Sequence, residues 1–438
     1  MLLGILNAQA AGGGLAYWIA TLGGASNDTG YGAITDSAGN AYTVGLTLSS
    51  GAGSGDLLLA KYDTQGAVQW QRTLGGTGFD QGFSVAIDSS DNVYAVGETD
   101  PGAGGRRDFL IAKYNSSGTI QWQRTLGGST DESALSVAID SSDNVYVIGA
   151  SDLGGFSTLY LAKYNSSGNI QWQRTLSGSS NDEGFSVAID SSDNVYVSGQ
   201  TRSEGAGFTD FLVAKYNSSG TIQWQRILGG SSSEFTGFVA IDSSDNVYLL
   251  GYTFSAGAGS TDFLIAKYNS SGTIQWQRIL GGSAREESKS IAIDSLDNIY
   301  LLGETPSEGE GGTDFLIAKY NSSGTIQWQR ILGGSSNDKG YSVAIDSLDD
   351  VYILGGTFST GEGGNDFLVA KIPNDGSLTG TYELDGVNIV YAASTLTAAT
   401  STFTAATSTL TSASASLTAA TSTLTDSSAS LTSHIVGL

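Results

Sequence analysis

Asp88-Ser89-Ser90-Asp91-Asn92 sets five oxygen-bearing side chains in a row, and near copies of it recur along the chain. Oxygen ligands at that density suggest calcium, yet an EF-hand loop needs alternating ligands, a central Gly and a distal Glu. Short Asx and Ser turns between strands explain the run with less. Asn115-Ser116-Ser117 has the form of a glycosylation acceptor and reads, again, as a turn. Other reactive groups are scarce. The 438 residues contain no Cys and one His, His434, which lies outside every repeat. Disulfides, thiolate nucleophiles, zinc knuckles and His-based triads are therefore unavailable to the repeated body. No catalytic residue, bound metal or cofactor is expected.

Charge narrows the partners. Acidic residues number 43 against 19 basic ones, a formal net charge of −24. Such a surface repels nucleic acid and anionic membranes, and no run approaches the roughly 20 apolar residues of a membrane span. The opening MLLGILNAQAAGGG has a small-residue site at Ala8-Gln9-Ala10 but no basic segment before its short apolar run. A docking arm over 1–15 is the expectation there, rather than a cleaved signal.

The elements that must carry these residues are repetitive. Trp18, Trp70, Trp122, Trp172, Trp224, Trp276 and Trp328 keep a step of 52 residues, once 50. Asp36, Asp88, Asp140, Asp190, Asp242, Asp294 and Asp346 keep the same beat, as do Lys61, Lys113, Lys163, Lys215, Lys267, Lys319 and Lys371. Each unit holds four segments of strand character, in the second copy Ser84–Asp88, Asn92–Gly97, Asp108–Tyr114 and Thr119–Leu126. Val85 and Ile87 share one face and Ser84 and Ala86 the other, with no competing helical period. Seven repeats of four antiparallel strands predict an all-β, seven-bladed propeller over 16–376.

Closure is legible at the ends. The first Trp belongs to an orphan fourth strand around Tyr17–Leu22, and the last repeat stops after its third strand at Ile372. That N-terminal strand is expected to complete the seventh blade. A connecting hairpin over 377–393 is the competing candidate.

Turns and loops behave differently. Asp-Ser-Ser-Asp-Asn and Asn-Ser-Ser-Gly recur almost unchanged, whereas the loops after the second strand and those entering the first strand vary. Compare ETDPGAGGRR (98–107) with TRSEGAGFT (201–209), or TGFDQGF (77–83) with SSSEFTGF (231–238) and SAREESK (283–289). Both variable sets emerge on one rim, so that rim is the expected binding face. Its candidate contacts are Arg106, Arg107, Phe156, Arg202, Phe208, Phe235, Phe254, Arg285 and Phe358, because exposed aromatics and Arg dominate contact hot spots.

The motifs Asp-Ser-Ser-Asp-Asn-Val-Tyr, Asp-Phe-Leu-Ile-Ala-Lys-Tyr and Trp-Gln-Arg-Thr-Leu-Gly-Gly, in fixed order and spacing, resemble the SBBP β-propeller repeat family. The family pattern has Gly before the Asn of the first turn; Gly39 keeps it, while Asp91, Asp143, Asp193, Asp245 and Asp297 depart from it. The resemblance implies a propeller of bacterial surface or phage proteins and no catalytic set. Gly118-Thr119-Ile120-Gln121-Trp122 is also similar to the turn-and-Trp motif of quinoprotein dehydrogenase propellers. Those have eight blades and a calcium and quinone pocket that this chain does not supply.

From Ser394 the composition turns to Ser, Thr, Ala and Leu, with Leu396, Phe403, Leu410, Leu417, Leu424 and Leu431 seven apart. An odd period flips a strand's faces at each repeat, whereas a helix keeps it on one seam. The expectation for 394–438 is a coiled-coil-like helical stalk joining copies, most simply a homotrimer, with a disordered linker as rival. Disc, arm and stalk together suggest a non-enzymatic virion protein such as a phage tail-fibre component. It would bind other tail proteins and a host surface glycan or protein. A secreted or cell-surface carbohydrate- or protein-binding propeller, or a glycan-acting enzyme, are the alternatives.

Overall fold

The computed structural model describes residues 17–100, 105–153, 155–361, 363–384 and 386–400, and in the tail 404–407, 411–414, 418–421, 425–428 and 432–437. The expected arm over 1–15 lies outside them. Seven antiparallel sheets form a seven-bladed propeller with four repeat strands per blade. Blades I to VI span 28–75, 80–127, 132–177, 182–229, 234–281 and 287–333, and blade VII spans 338–372. Trp18–Gly23 pairs antiparallel with Asp366–Ile372 and supplies the fourth strand of blade VII. The hairpin Gly380–Leu384 and Val387–Ala393 instead joins blade VI, against Ile326–Gly333.

Alternating side chains make neighbouring blades interlock. Tyr94, Val96, Phe109 and Ile111 of blade II pack on Ala134, Val137, Val145 and Val147 of blade III, all buried. Burial of aliphatic and aromatic surface between sheets is the main stabilising term of such a ring. Polar clamps then fix the angle. Trp122 donates from Nε1 to the Ser166 carbonyl of the next blade at 3.1 Å. Its ring lies over Gly168, whose φ is +75° and where an added Cβ would come 2.9 Å from the indole. The same Trp-to-carbonyl bond crosses the chain-end seam, from Trp18 to Thr64 at 3.2 Å.

The oxygen-rich turns are turns. Asp91 donates its amide to the Asp88 carbonyl at 3.0 Å with φ +58°. The Asp88 carboxylate accepts from the Ser90 and Asn92 amides, the Asn92 side chain, Tyr94 Oη and Lys113. Asp91 in turn accepts from Ser37 of blade I at 3.1 Å, and five further Ser–Asp pairs repeat this link around the disc.

The tail corrects an expectation. Its described segments are strands, not a helical stalk. Thr397–Thr400, Thr404–Thr407, Thr411–Ser414, Thr418–Thr421, Thr425–Ser428 and Thr432–Gly437 each add an antiparallel fifth strand to one blade. They join blades V, IV, III, II, I and VII in turn, so with Val387–Ala393 on blade VI the tail circles the whole propeller against blade order. The heptad is thus one step per blade. Four residues pair with each edge and the next strand begins seven residues on, on another blade, so the odd period never runs within one strand and the face-flipping objection falls away. Thr-rich segments suit such ladders better than helices. Of the expected seam, Leu396 is buried between blades V and VI, beside Tyr248, Leu280 and Ile299. Phe403, Leu410, Leu417, Leu424 and Leu431 lie outside the described residues. A trimer built on a helical seam therefore loses its basis.

Candidate functional site at the channel mouth

The first strand of every blade lines the central channel, and each carries a β-bulge one residue past its start region. The bulged residues are Tyr31, Phe83, Leu135, Phe185, Gly237, Lys289 and Tyr341. A bulge re-aims a side chain, and here all seven positions converge on one cavity of about 380 Å³ at the variable rim. Tyr31 meets Tyr341 edge to face at 5.1 Å and Phe83 at 5.8 Å. Below this ring a second space of about 340 Å³ is lined by Ser84, Ser136, Ser186, Ser290 and Ser342. Those hydroxyls accept amide bonds from the next blade, as Ser290 does from Val343 at 3.0 Å.

Above the ring, blade V contributes an aromatic cluster. Phe235 stacks on Tyr252 at 5.4 Å with planes 27° apart and meets Phe254 edge to face at 5.9 Å. Blade VI contributes charge. Lys289 donates to Glu287 at 2.8 Å and approaches Glu304 at 3.8 Å, while Arg285 forms a close ion pair with Glu287. Burial pulls the Lys289 ammonium below its ordinary range, with Glu304 opposing. Burial, with Tyr31 and Glu304 nearby, pushes the Tyr341 phenol up.

Of the nine rim residues read from sequence, Phe235, Phe254 and Arg285 come together here. Arg107 is held by buried Glu98 at 2.8 Å and Arg106 by Asp131 at 3.3 Å. Phe156 is exposed at the start of a strand of blade III, Arg202 and Phe208 on one loop of blade IV, and Phe358 on a loop of blade VII. The ring itself was missed, as was Tyr252. The signal existed: the variable segments TGFDQGF and SAREESK end on Phe83 and Lys289. Strict alternation hid the bulge that turns those residues inward.

The rim loops rest on buried acids. The carboxylates of Asp56, Asp210 and Asp262 each accept a loop amide, from Ala52, Gly207 and Gly259. Each neighbours an acid of the next blade. Burial, then the nearby Asp338, pushes Asp314 up to about 8; burial, with Glu234 adding and the Gly207 amide opposing, pushes Asp210 up to about 6. Carboxyls raised in the folded state contribute stability in full below their ordinary value of 3.8, and lose it as pH rises through about 6 and about 8. The turn aspartates behave oppositely. For Asp88 burial alone raises the value, but the Asn92 and Lys113 contacts outweigh it and hold the group low. Their contribution is lost as pH falls below the ordinary range. The unfolding midpoint is therefore expected to be higher near about pH 5 than near about pH 9, and to fall again in strong acid. Asp314→Asn should flatten the alkaline limb in a pH series of thermal melts; an unchanged slope would remove Asp314 as its source.

Residues 171–205 and 327–360 match the SBBP β-propeller repeat. An uncharacterized WD repeat-containing protein of Acanthamoeba polyphaga mimivirus is 25% identical over 199 residues, covering 35% of this chain and 14% of that protein. The regulatory protein FlaEY of Caulobacter vibrioides is 29% identical over 118 residues, covering 24% of this chain and 12% of that one. The chain thus spans under a sixth of the length of either relative. Among solved structures, an ulvan lyase aligns over 81% of this chain and 96% of its own at 11% identity and TM-score 0.49. A gluconolactonase of Xanthomonas campestris aligns over 82% and 90% at 10% identity and TM-score 0.38. At such values neither bears on activity.

Proposed function

We propose, from the premise that this chain is a seven-bladed propeller of the SBBP β-propeller repeat family, that it is a non-enzymatic attachment protein binding through its variable rim. The carrying observation is the convergence of the bulged ring and the Phe235–Tyr252–Phe254 cluster on one cavity at that rim. Aromatic side chains grouped around a concavity are the usual anchors of recognition. As setting we propose a virion appendage such as a phage tail fibre; the sequence resemblance implies a propeller of bacterial surface or phage proteins, and one relative is viral in source. The partner is then a glycan or protein on a host surface.

The test is adhesion of the fluorescently labelled full-length chain to intact cells of candidate bacterial hosts. Phe235→Ala with Phe254→Ala should weaken adhesion by about tenfold or more, while Arg106→Ala should leave it unchanged. Adhesion indifferent to the aromatic pair would overturn this reading.

A further inference from the structure

The channel mouth is chemically lopsided. Six ring positions carry a side chain toward the axis and the seventh, Gly237, carries none. An added Cβ at Gly237 would meet no atom within 4 Å outside its two chain neighbours, one of which, Phe238, also lines the cavity. Beside it lies the aromatic stack of Phe235 on Tyr252. On the blade VI side the lining is polar, with Ser288 and Lys289. Ser288 is 3% exposed, and its Oγ has no hydrogen-bond partner.

Buried polar atoms are almost always paired, and each exception asks for an explanation. A serine hydroxyl can give or take, so a ligand bearing hydroxyls serves it. Formal charge on the ligand is disfavoured from either side. The cations on that side, Lys289 and Arg285, are already engaged by Glu287, and a chain of net charge −24 repels anions. A cationic ligand would meet Lys289 and Arg285 first. An aromatic stack beside a hydroxyl-seeking lining is the complement of a sugar ring, whose C–H face and hydroxyl edge are differently disposed.

We infer that the channel mouth beside Gly237 binds a neutral pyranose residue, its C–H face against the Phe235–Tyr252 stack and its hydroxyls toward Ser288. This rests on the reading of the mouth as the attachment site and names the ligand class for it. The cavity of about 380 Å³ falls within the size range of small-molecule sites.

The experiment uses the full chain on a printed array of neutral, sialylated and uronate-bearing glycans, together with cell adhesion before and after mild periodate oxidation of the cells. Gly237→Phe fills this position with the residue type that Phe83 and Phe185 already carry at equivalent bulges, so a folded disc is expected and is checked by its thermal melt. Wild type should retain neutral glycans, and G237F should lose them by about tenfold or more. Ser288→Ala should weaken retention several-fold, and periodate should abolish adhesion. Adhesion that is sensitive to G237F but survives periodate, with no neutral glycan retained, would overturn the sugar and leave the attachment site standing with a polypeptide ligand. Retention of acidic glycans alone would overturn the neutral class. Binding indifferent to G237F, in a chain that melts normally, would overturn both the sugar and the mouth as the site.

Discussion

A chain cut after Ala393 is expected to melt at lower temperature and to associate more, not less. Residues 394–438 give six blades their fifth strand, with four register pairs for each of blades I to V and six for blade VII. A backbone hydrogen bond is worth about 0.5–1.5 kcal/mol net, so the ladders together amount to several kcal/mol. Their removal also bares the outer edge of each fourth strand, such as Arg72–Gly75 and Arg124–Gly127, and unpaired edges template pairing with other chains. A helical stalk predicts the opposite sign, loss of association on truncation. Light scattering with a thermal melt separates the two: a lower mass for the cut chain restores the stalk, and an unchanged melt makes the encircling strands dispensable.

Asp88→Ala should be the most damaging single substitution of a turn residue in blade II, at about 3–5 kcal/mol. Lys113 lies 3.0 Å from Asp88, with side chains 11% and 2% exposed, and its ammonium also sits 4.8 Å above the Tyr94 ring. Tyr94 packs edge to face on Trp122, whose indole clamps blade III. Removing the carboxylate strands a buried cation and four other donors at once. Asp91→Ala, which breaks only the two exposed bonds from the Ser37 amide and hydroxyl, should cost about 1 kcal/mol. Denaturant melts of the two variants check the order. Equal losses would mean that the turn as a whole, and not the Asp88 carboxylate, holds the blade.

Much of the scaffold was legible because it is repeated. The Trp, Asp and Lys beats give blade number, strand number and even the closing strand, since no Trp follows Lys371 on the beat and Trp18 precedes the first Asp of it. The turn reading of Asp-Ser-Ser-Asp-Asn also follows from local chemistry. Two features were not legible. A bulge shifts phase by one residue without altering composition, so Phe83 and Lys289 read as loop ends rather than as channel lining. The heptads of the tail carry a period that a helix and an encircling row of short strands share. Only the seven exposed blade edges, a tertiary fact, decide between them.

The encircling tail makes the copy number of one repeat depend on that of another. Six of the blades, each some 52 residues of one sequence, are paired along the outer edge with a short strand of the heptad tail, and blade VI with Val387–Ala393. Duplicating or deleting a blade unit alone would put every later heptad opposite the wrong interval, leaving one edge bare or one strand without a blade. A variant ring of six or eight blades therefore requires two separated edits of matching count, so the tail acts as a tally that holds the propeller at seven.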